Sequence, residues 1–182
     1  LPLTIFGSSK LKPIKYIEKK GSAQCKSSVI LGGLRTNGNT FIKAKKSRNH
    51  TELFCKSLSL PVTVVKKRNY DQIKINKAKK IKKINYSIPG DISSSSFFIV
   101  LTSLINKSEL VIKNVNINES RIGIIIILKK MGINIKFLNK KIYKGEKKAD
   151  IKITSPKSIK AINCPTNLNS GAIDEFLVIF LV

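Results

Sequence analysis

The chain is poor in the residues that hold metals and cross-links. It has three cysteines, Cys25, Cys55 and Cys164, and a single histidine, His50. The cysteines are far apart and form no CxxC pair, so with one histidine they make no recognisable zinc site. They read instead as reduced thiols of a cytoplasmic protein. Long apolar runs are missing too: crossing a bilayer takes about 20 consecutive apolar residues, and no stretch has them. Acidic residues are scarce, with 10 Asp plus Glu against 35 Lys plus Arg, for a net charge of +25. Arginine is scarce within that basic set, being confined to Arg35, Arg48, Arg68 and Arg121. Such a charge would suit nucleic acid or another polyanion. The densest run, however, Lys77 to Lys83, offers no aromatic ring on which bases could stack. Lys, Ile and Asn are abundant together, as the codon bias of an A+T-rich genome produces. The expectation is a drifted, solvated surface with no nucleic-acid partner, whose positive field still attracts small phosphorylated molecules.

What the chain does have is enough apolar material for a folded domain: 42% hydrophobic residues and a mean hydropathy of −0.02 over 182 residues. Its hydrophobic pattern repeats. The first copy reads as a helix from Ser22 to Leu34, a strand from Thr40 to Ala44 and a helix from Asn49 to Leu58. Strands at Val62 to Val65 and Gln72 to Ile75 complete it. The second copy reads as a helix from Ser93 to Ile105, a strand from Glu109 to Val115 and a helix from Ser120 to Met131. Strands at Ile133 to Leu138 and Asp150 to Ile153 follow. Each second helix opens on a Ser-Arg pair, Ser47-Arg48 and Ser120-Arg121, and a plan used twice is an internal repeat. The run Ile124 to Leu128 has strand propensity. Ile124, Ile127, Leu128 and Met131 nevertheless fall at i, i+3, i+4 and i+7, with Ser120 as the expected cap and Gly132 at the helix end. Asn49 and Glu52 have the spacing of a capping box. Tyr86 to Asp91 is a turn signal, and Lys140 to Lys148 is expected to be an exposed hairpin loop.

Three places could carry chemistry. Ser22-Ala23-Gln24 follows Gly21 at a helix start, where free N–H groups and the positive dipole end favour anions. On these residues alone, a plain N-cap serine is the simpler reading. Arg48 begins the second helix, and its planar fork suits phosphate; a surface or packing arginine is the alternative. Asp174, within Ile173-Asp174-Glu175, is a carboxylate that can accept a proton, or merely a partner for a helix dipole. Glu175 is read as such a dipole partner and Arg121 as ordering its unit. Asp91 in Pro89-Gly90-Asp91 is read as a helix cap, His50 as a capping or packing residue, and Cys25 as a small apolar filler.

Four strings in order, Gly21 to Ser27, Ser47 to Glu52, Ile88 to Asp91 with Ser93 to Ser96, and Ile173 to Glu175, resemble the middle of the EPSP synthase family of enolpyruvyl transferases. The likeness is nearest to the bacterial branch reading SAQ-K-S, and it runs from Leu1 to the last residue. Departures are at loop level. Asn49 replaces the usual Asp, Ile92 a Pro, and Glu119 and Ile122 the Pro and Thr that flank the residue matching Arg121.

The resemblance implies an α/β (α+β) fold of repeated βαβαββ units, the inverse α/β barrel, with helices inside and sheets outside. Residues 1–88 would form the first unit, 89–160 the second, and 161–182 the start of a third. It implies transfer of an enolpyruvyl group from phosphoenolpyruvate to the 5-hydroxyl of shikimate 3-phosphate, as part of a longer chain and without a cofactor or metal. Ser22, Ala23, Gln24, Arg48 and Asp174 would meet shikimate 3-phosphate, Gln24 also phosphoenolpyruvate, and Asp174 would be the proton acceptor. Further motifs of the family, which bind and protonate phosphoenolpyruvate, would lie outside this segment. A cytoplasmic monomer, off the membrane, is expected at full length. The alternative is a non-catalytic remnant or a basic RNA-binding or RNA-processing protein with related units.

Overall fold

The computed structural model describes residues 2–182. It divides into two compact units, Leu1–Lys83 and Ile84–Val182.

In the first unit the order is β1 (Lys15–Glu18), α1 (Ala23–Gly33), β2 (Thr40–Lys45), α2 (His50–Ser57), β3 (Val62–Lys66) and β4 (Tyr70–Ile75). The strands form one sheet in the order β1-β2-β4-β3, with β1 parallel to β2 and the other pairs antiparallel. β2 alternates strictly, Thr40, Ile42 and Ala44 inward and Phe41, Lys43 and Lys45 outward, as a half-buried strand should. α1 lays Lys26, Ile30, Gly33 and Leu34 against the sheet, a spacing of i, i+4, i+7 and i+8. Ile30, Leu34, Ile42, Ala44, Cys55, Ile73 and Ile75 make the core. β1 is the element that sequence patterning did not find: it is four residues long, and its partner β2 lies beyond an intervening helix.

The second unit runs α3 (Ile92–Leu104), β5 (Glu109–Asn116), α4 (Gly123–Lys130), β6 (Asn134–Tyr143) and β7 (Glu146–Thr154). Two short helices, α5 (Asn169–Ala172) and α6 (Phe176–Ile179), follow, separated by a 3₁₀ turn at Ile173–Glu175. The sheet order β5-β7-β6 reproduces β2-β4-β3 of the first unit, so the repeat read from the pattern exists in three dimensions. Where β1 lies beside β2, the second unit has a single parallel bridge between Gly90 and Val115.

Two details differ from the pattern reading. α4 starts at Gly123 rather than Ser120, because Asn118 Oδ1 takes both the amide and the hydroxyl of Ser120, at 2.9 and 2.8 Å, and holds it in a turn. The other end is as read: Gly132, at φ +100°, follows the C-cap Met131. Its N–H reaches Lys129 O at 3.1 Å while Ile133 N–H reaches Leu128 O at 3.0 Å, closing a Schellman motif. The segment Lys140 to Lys148 is not a loop. β6 and β7 continue to Tyr143 opposite Glu146, leaving Lys144 and Gly145, both at positive φ (47° and 89°), as a two-residue turn. Much of the segment is exposed, as read, but the ladder through it is a backbone property that side-chain polarity does not reveal.

Gly123 has a further duty. A Cβ on it would lie 2.5 Å from Gly171 C and 2.6 Å from Gly171 O, both backbone atoms. Gly123→Ala is therefore expected to pry α4 from α5 and destabilise this unit by about 1–3 kcal/mol. Gly171→Ala, whose nearest neighbours stand at 3.6 Å, should be much milder. Thermal melts of the two variants check this; equal melting temperatures would sink it.

Candidate functional site

In the first unit the site residues gather where α1 and α2 begin. The turn into α1 is folded over Glu18, a residue 5% exposed, whose carboxylate accepts the amides of Lys20 and Gly21 at 2.9 and 2.7 Å. Gly21 takes φ +80°, a conformation that favours glycine. Burial pushes the Glu18 carboxyl up, but the backbone amides of Ser22, Gly21 and Lys20 and the nearby charge of Lys26 outweigh it. The net displacement is below the ordinary value of 4.5. The group's folded value is lower than its unfolded one, so its contribution to stability is present above pH 4.5 and fades as pH falls through the folded value. Glu18→Gln should melt earlier than the parent at neutral pH, with the gap closing below that pH. A gap that stays constant down to pH 3 would be the contrary result.

Ser22 caps α1: its Oγ accepts the amide of Cys25 at 3.2 Å. Ala23 and Gln24 occupy the first turn, whose amides a helix cannot satisfy internally, and no acidic side chain sits there to cancel the positive end. Gln24 is exposed and Arg48 half-buried. The two helix starts that carry them are tied to each other. Lys26 Nζ, fully buried, donates to Arg48 O at 2.9 Å and pairs with Glu52 Oε1 at 2.6 Å. Ser27 Oγ and Thr51 Oγ1 share a hydrogen bond of 2.6 Å beside them. Glu52 is thus not a capping-box partner: Asn49 holds the N-cap position without a side-chain cap hydrogen bond, and the glutamate turns inward to Lys26. Cys25 is not a buried filler either. It is exposed and lies close enough to Tyr16 to help raise the phenol, after desolvation as the main cause. Sequence reasoning gave Glu18 and Lys26 no role of their own and read Glu52 as a cap partner; the pattern does place a lysine and a glutamate four residues after Ser22 and Arg48.

Asp174 belongs to the second unit, in the 3₁₀ turn between α5 and α6, with its carboxylate 47% exposed. Arg121 Nη1 reaches it at 3.3 Å, while Nη2 reaches Asp91 Oδ1 at 3.1 Å and also donates to Ser93 Oγ. Ser93 in turn donates to Glu175, whose side chain is buried. Glu175 is therefore an internal hydrogen-bond acceptor rather than a surface dipole partner. Asp91 caps α3 by accepting the amide of Ser94 at 2.9 Å, and Gly90 is locked by backbone bonds to Asn114 and Asn116. Among the described residues no three of His, Cys, Asp and Glu converge as they would around a metal ion. Nor is any helix there long and apolar enough to cross a membrane.

The family model for EPSP synthase (3-phosphoshikimate 1-carboxyvinyltransferase) matches residues 1–181. The 3-phosphoshikimate 1-carboxyvinyltransferase of Legionella pneumophila (strain Corby) is 40% identical over 181 residues, covering 99% of this chain and 41% of the relative. That of Ruthia magnifica is 40% identical over 182 residues, with 100% and 41% covered. The solved EPSP synthase from Acinetobacter baumannii superposes with a TM-score of 0.85 at 35% identity, over 97% of this chain and 40% of that one. The chain spans about two-fifths of the length of these relatives, 41% for the Legionella enzyme.

Proposed function

This chain belongs to the EPSP synthase family, and from that premise we propose that it supplies part of a shikimate 3-phosphate site to an enolpyruvyl transferase of the shikimate pathway. The observation that carries the reading is the tied pair of helix starts. A capped α1 N-terminus with no acid in its first turn is held against the backbone of Arg48 by Lys26. Ser22 and Ala23 offer a hydroxyl and first-turn amides to the phosphate, Arg48 a guanidinium fork, and Gln24 an amide that meets both substrates.

In the reaction the 5-hydroxyl oxygen of shikimate 3-phosphate bonds to C2 of phosphoenolpyruvate, and C3 gains a proton. The tetrahedral intermediate then loses that C3 proton and inorganic phosphate, leaving the enolpyruvyl ether. Asp174 is assigned the role of taking the hydroxyl proton. Arg121 keeps its carboxylate in place. The groups that bind and protonate phosphoenolpyruvate are assigned to the remainder of the full-length protein. Two βαβαββ units, with residues 161–182 opening a third, are the proposed domain plan. A cytoplasmic monomer acting on these two small molecules, with no nucleic-acid partner, is the proposed state at full length.

The test is phosphate release by the full-length protein. The reading requires release only when shikimate 3-phosphate and phosphoenolpyruvate are both present, together with binding of shikimate 3-phosphate that other anions do not match. A full-length protein without turnover that binds polyanions indiscriminately, and loses them steeply with salt, would be a remnant or an RNA-binding protein instead.

A further inference from the structure

We propose that the buried Lys26–Glu52 pair is a positioning device for Arg48, setting the guanidinium-bearing residue against the start of α1. The inference rests on the functional reading above.

A buried ion pair is a poor explanation of stability. Taking each ion out of water costs several kcal/mol, and well-packed apolar residues often do as well or better. Lys26 is 0% exposed and Glu52 6% at the side chain, so both bear that cost in full. What the pair provides that apolar residues do not is direction. The ammonium has three donors and no acceptor. Arg48 O accepts one at 2.9 Å, while Glu52 Oε1 stands 2.6 Å from the ammonium as an ion pair without hydrogen-bond geometry. Arg48 lies one residue ahead of the α2 N-cap, where Asn49 makes no side-chain cap bond. The Arg48 carbonyl is thus tied to the other helix. Each charged partner stands four residues beyond the residue whose place it fixes, Lys26 beyond Ser22 and Glu52 beyond Arg48. Ser27 and Thr51 brace the same junction with neutral hydroxyls. Removal of the charged tie would leave both helices formed and the junction packed, yet free Arg48 from its register with Ser22, Ala23 and Gln24.

The experiment is a mutant cycle in the full-length protein, joining Lys26→Met/Glu52→Leu with Arg48→Ala. Titration calorimetry gives the Kd for shikimate 3-phosphate, and steady-state rates give the KM for phosphoenolpyruvate. In a double variant that retains its helical circular dichroism, the Kd should rise about tenfold or more. The KM for phosphoenolpyruvate should stay within about twofold. Adding Arg48→Ala to that background should cost far less than it costs the parent, because the two lesions act through one group. A folded double variant with the parent's affinity, or full additivity with Arg48→Ala, overturns the proposal. Should the double variant not fold, Lys26→Met/Glu52→Gln, which removes the tie to Arg48 O and leaves a neutral amide in place of the carboxylate, is read by the same criteria. A parent protein that does not bind shikimate 3-phosphate sinks the functional reading itself, and this inference with it.

Discussion

Asp174→Asn in the full-length protein is expected to lower the rate of phosphate release by about 10²- to 10⁴-fold, the usual worth of a positioned proton acceptor. The substitution is nearly isosteric. The amide oxygen can still accept from Arg121 Nη1, which stands 3.3 Å from Asp174 Oδ2, so the 3₁₀ turn should keep its shape. On the proposed reading, what is lost is the capacity to take the hydroxyl proton. The effect should therefore fall on kcat, with little change in the affinity for shikimate 3-phosphate. Asp174 is half-exposed, whereas its neighbour Glu175 is buried against Ser93. Glu175→Gln should accordingly show its damage in a melting curve first. A variant at Asp174 that keeps more than half of the parental rate would remove the residue from the chemistry.

Lys26→Met alone should be among the most damaging single changes to stability, costing about 3–5 kcal/mol. The methionine fills the space, but Glu52 is left with a buried carboxylate and no cation. Adding Glu52→Leu removes the stranded group, and most of the loss should return, which is the reverse of what two independent lesions would do. Chemical denaturation of the parent, the single and the paired variants measures this. Should the single variant unfold at the same denaturant concentration as the parent, the site is wetter than its burial implies, and the account of Lys26 is wrong.

Much of this was legible in the chain, and the limits have physical causes. Helices α1 to α3 could be read almost to the residue, because local signals fix them: Ser22 and Asp91 do cap their helices, and Leu34 follows the last turn of α1. The spacing of Asn49 and Glu52 was misleading. A glutamate three residues after a cap can reach back to it or turn into the core, and here a lysine on a different helix decides. Ser120 was misassigned for a similar reason, since its cap position was already engaged by Asn118 two residues away. β1 and the far ends of β6 and β7 depend on a partner strand, and partner strands leave no mark in a short window. Arg121 was read as an ordering residue; its three acidic neighbours come from α3's cap and the turn after α5, which only folding brings together.

The burial of Lys26 also bears on how this sequence can change over time. A genome that presses its codons toward lysine will accept lysine, arginine, asparagine or glutamine almost interchangeably at exposed sites such as Lys79 or Lys82. At position 26 that tolerance should end. In a saturation library of the full-length protein, selected for the proposed activity, a sharp local minimum of accepted residues is expected there, with even arginine depleted. The position would stand out as a fixed point within an otherwise interchangeable basic surface.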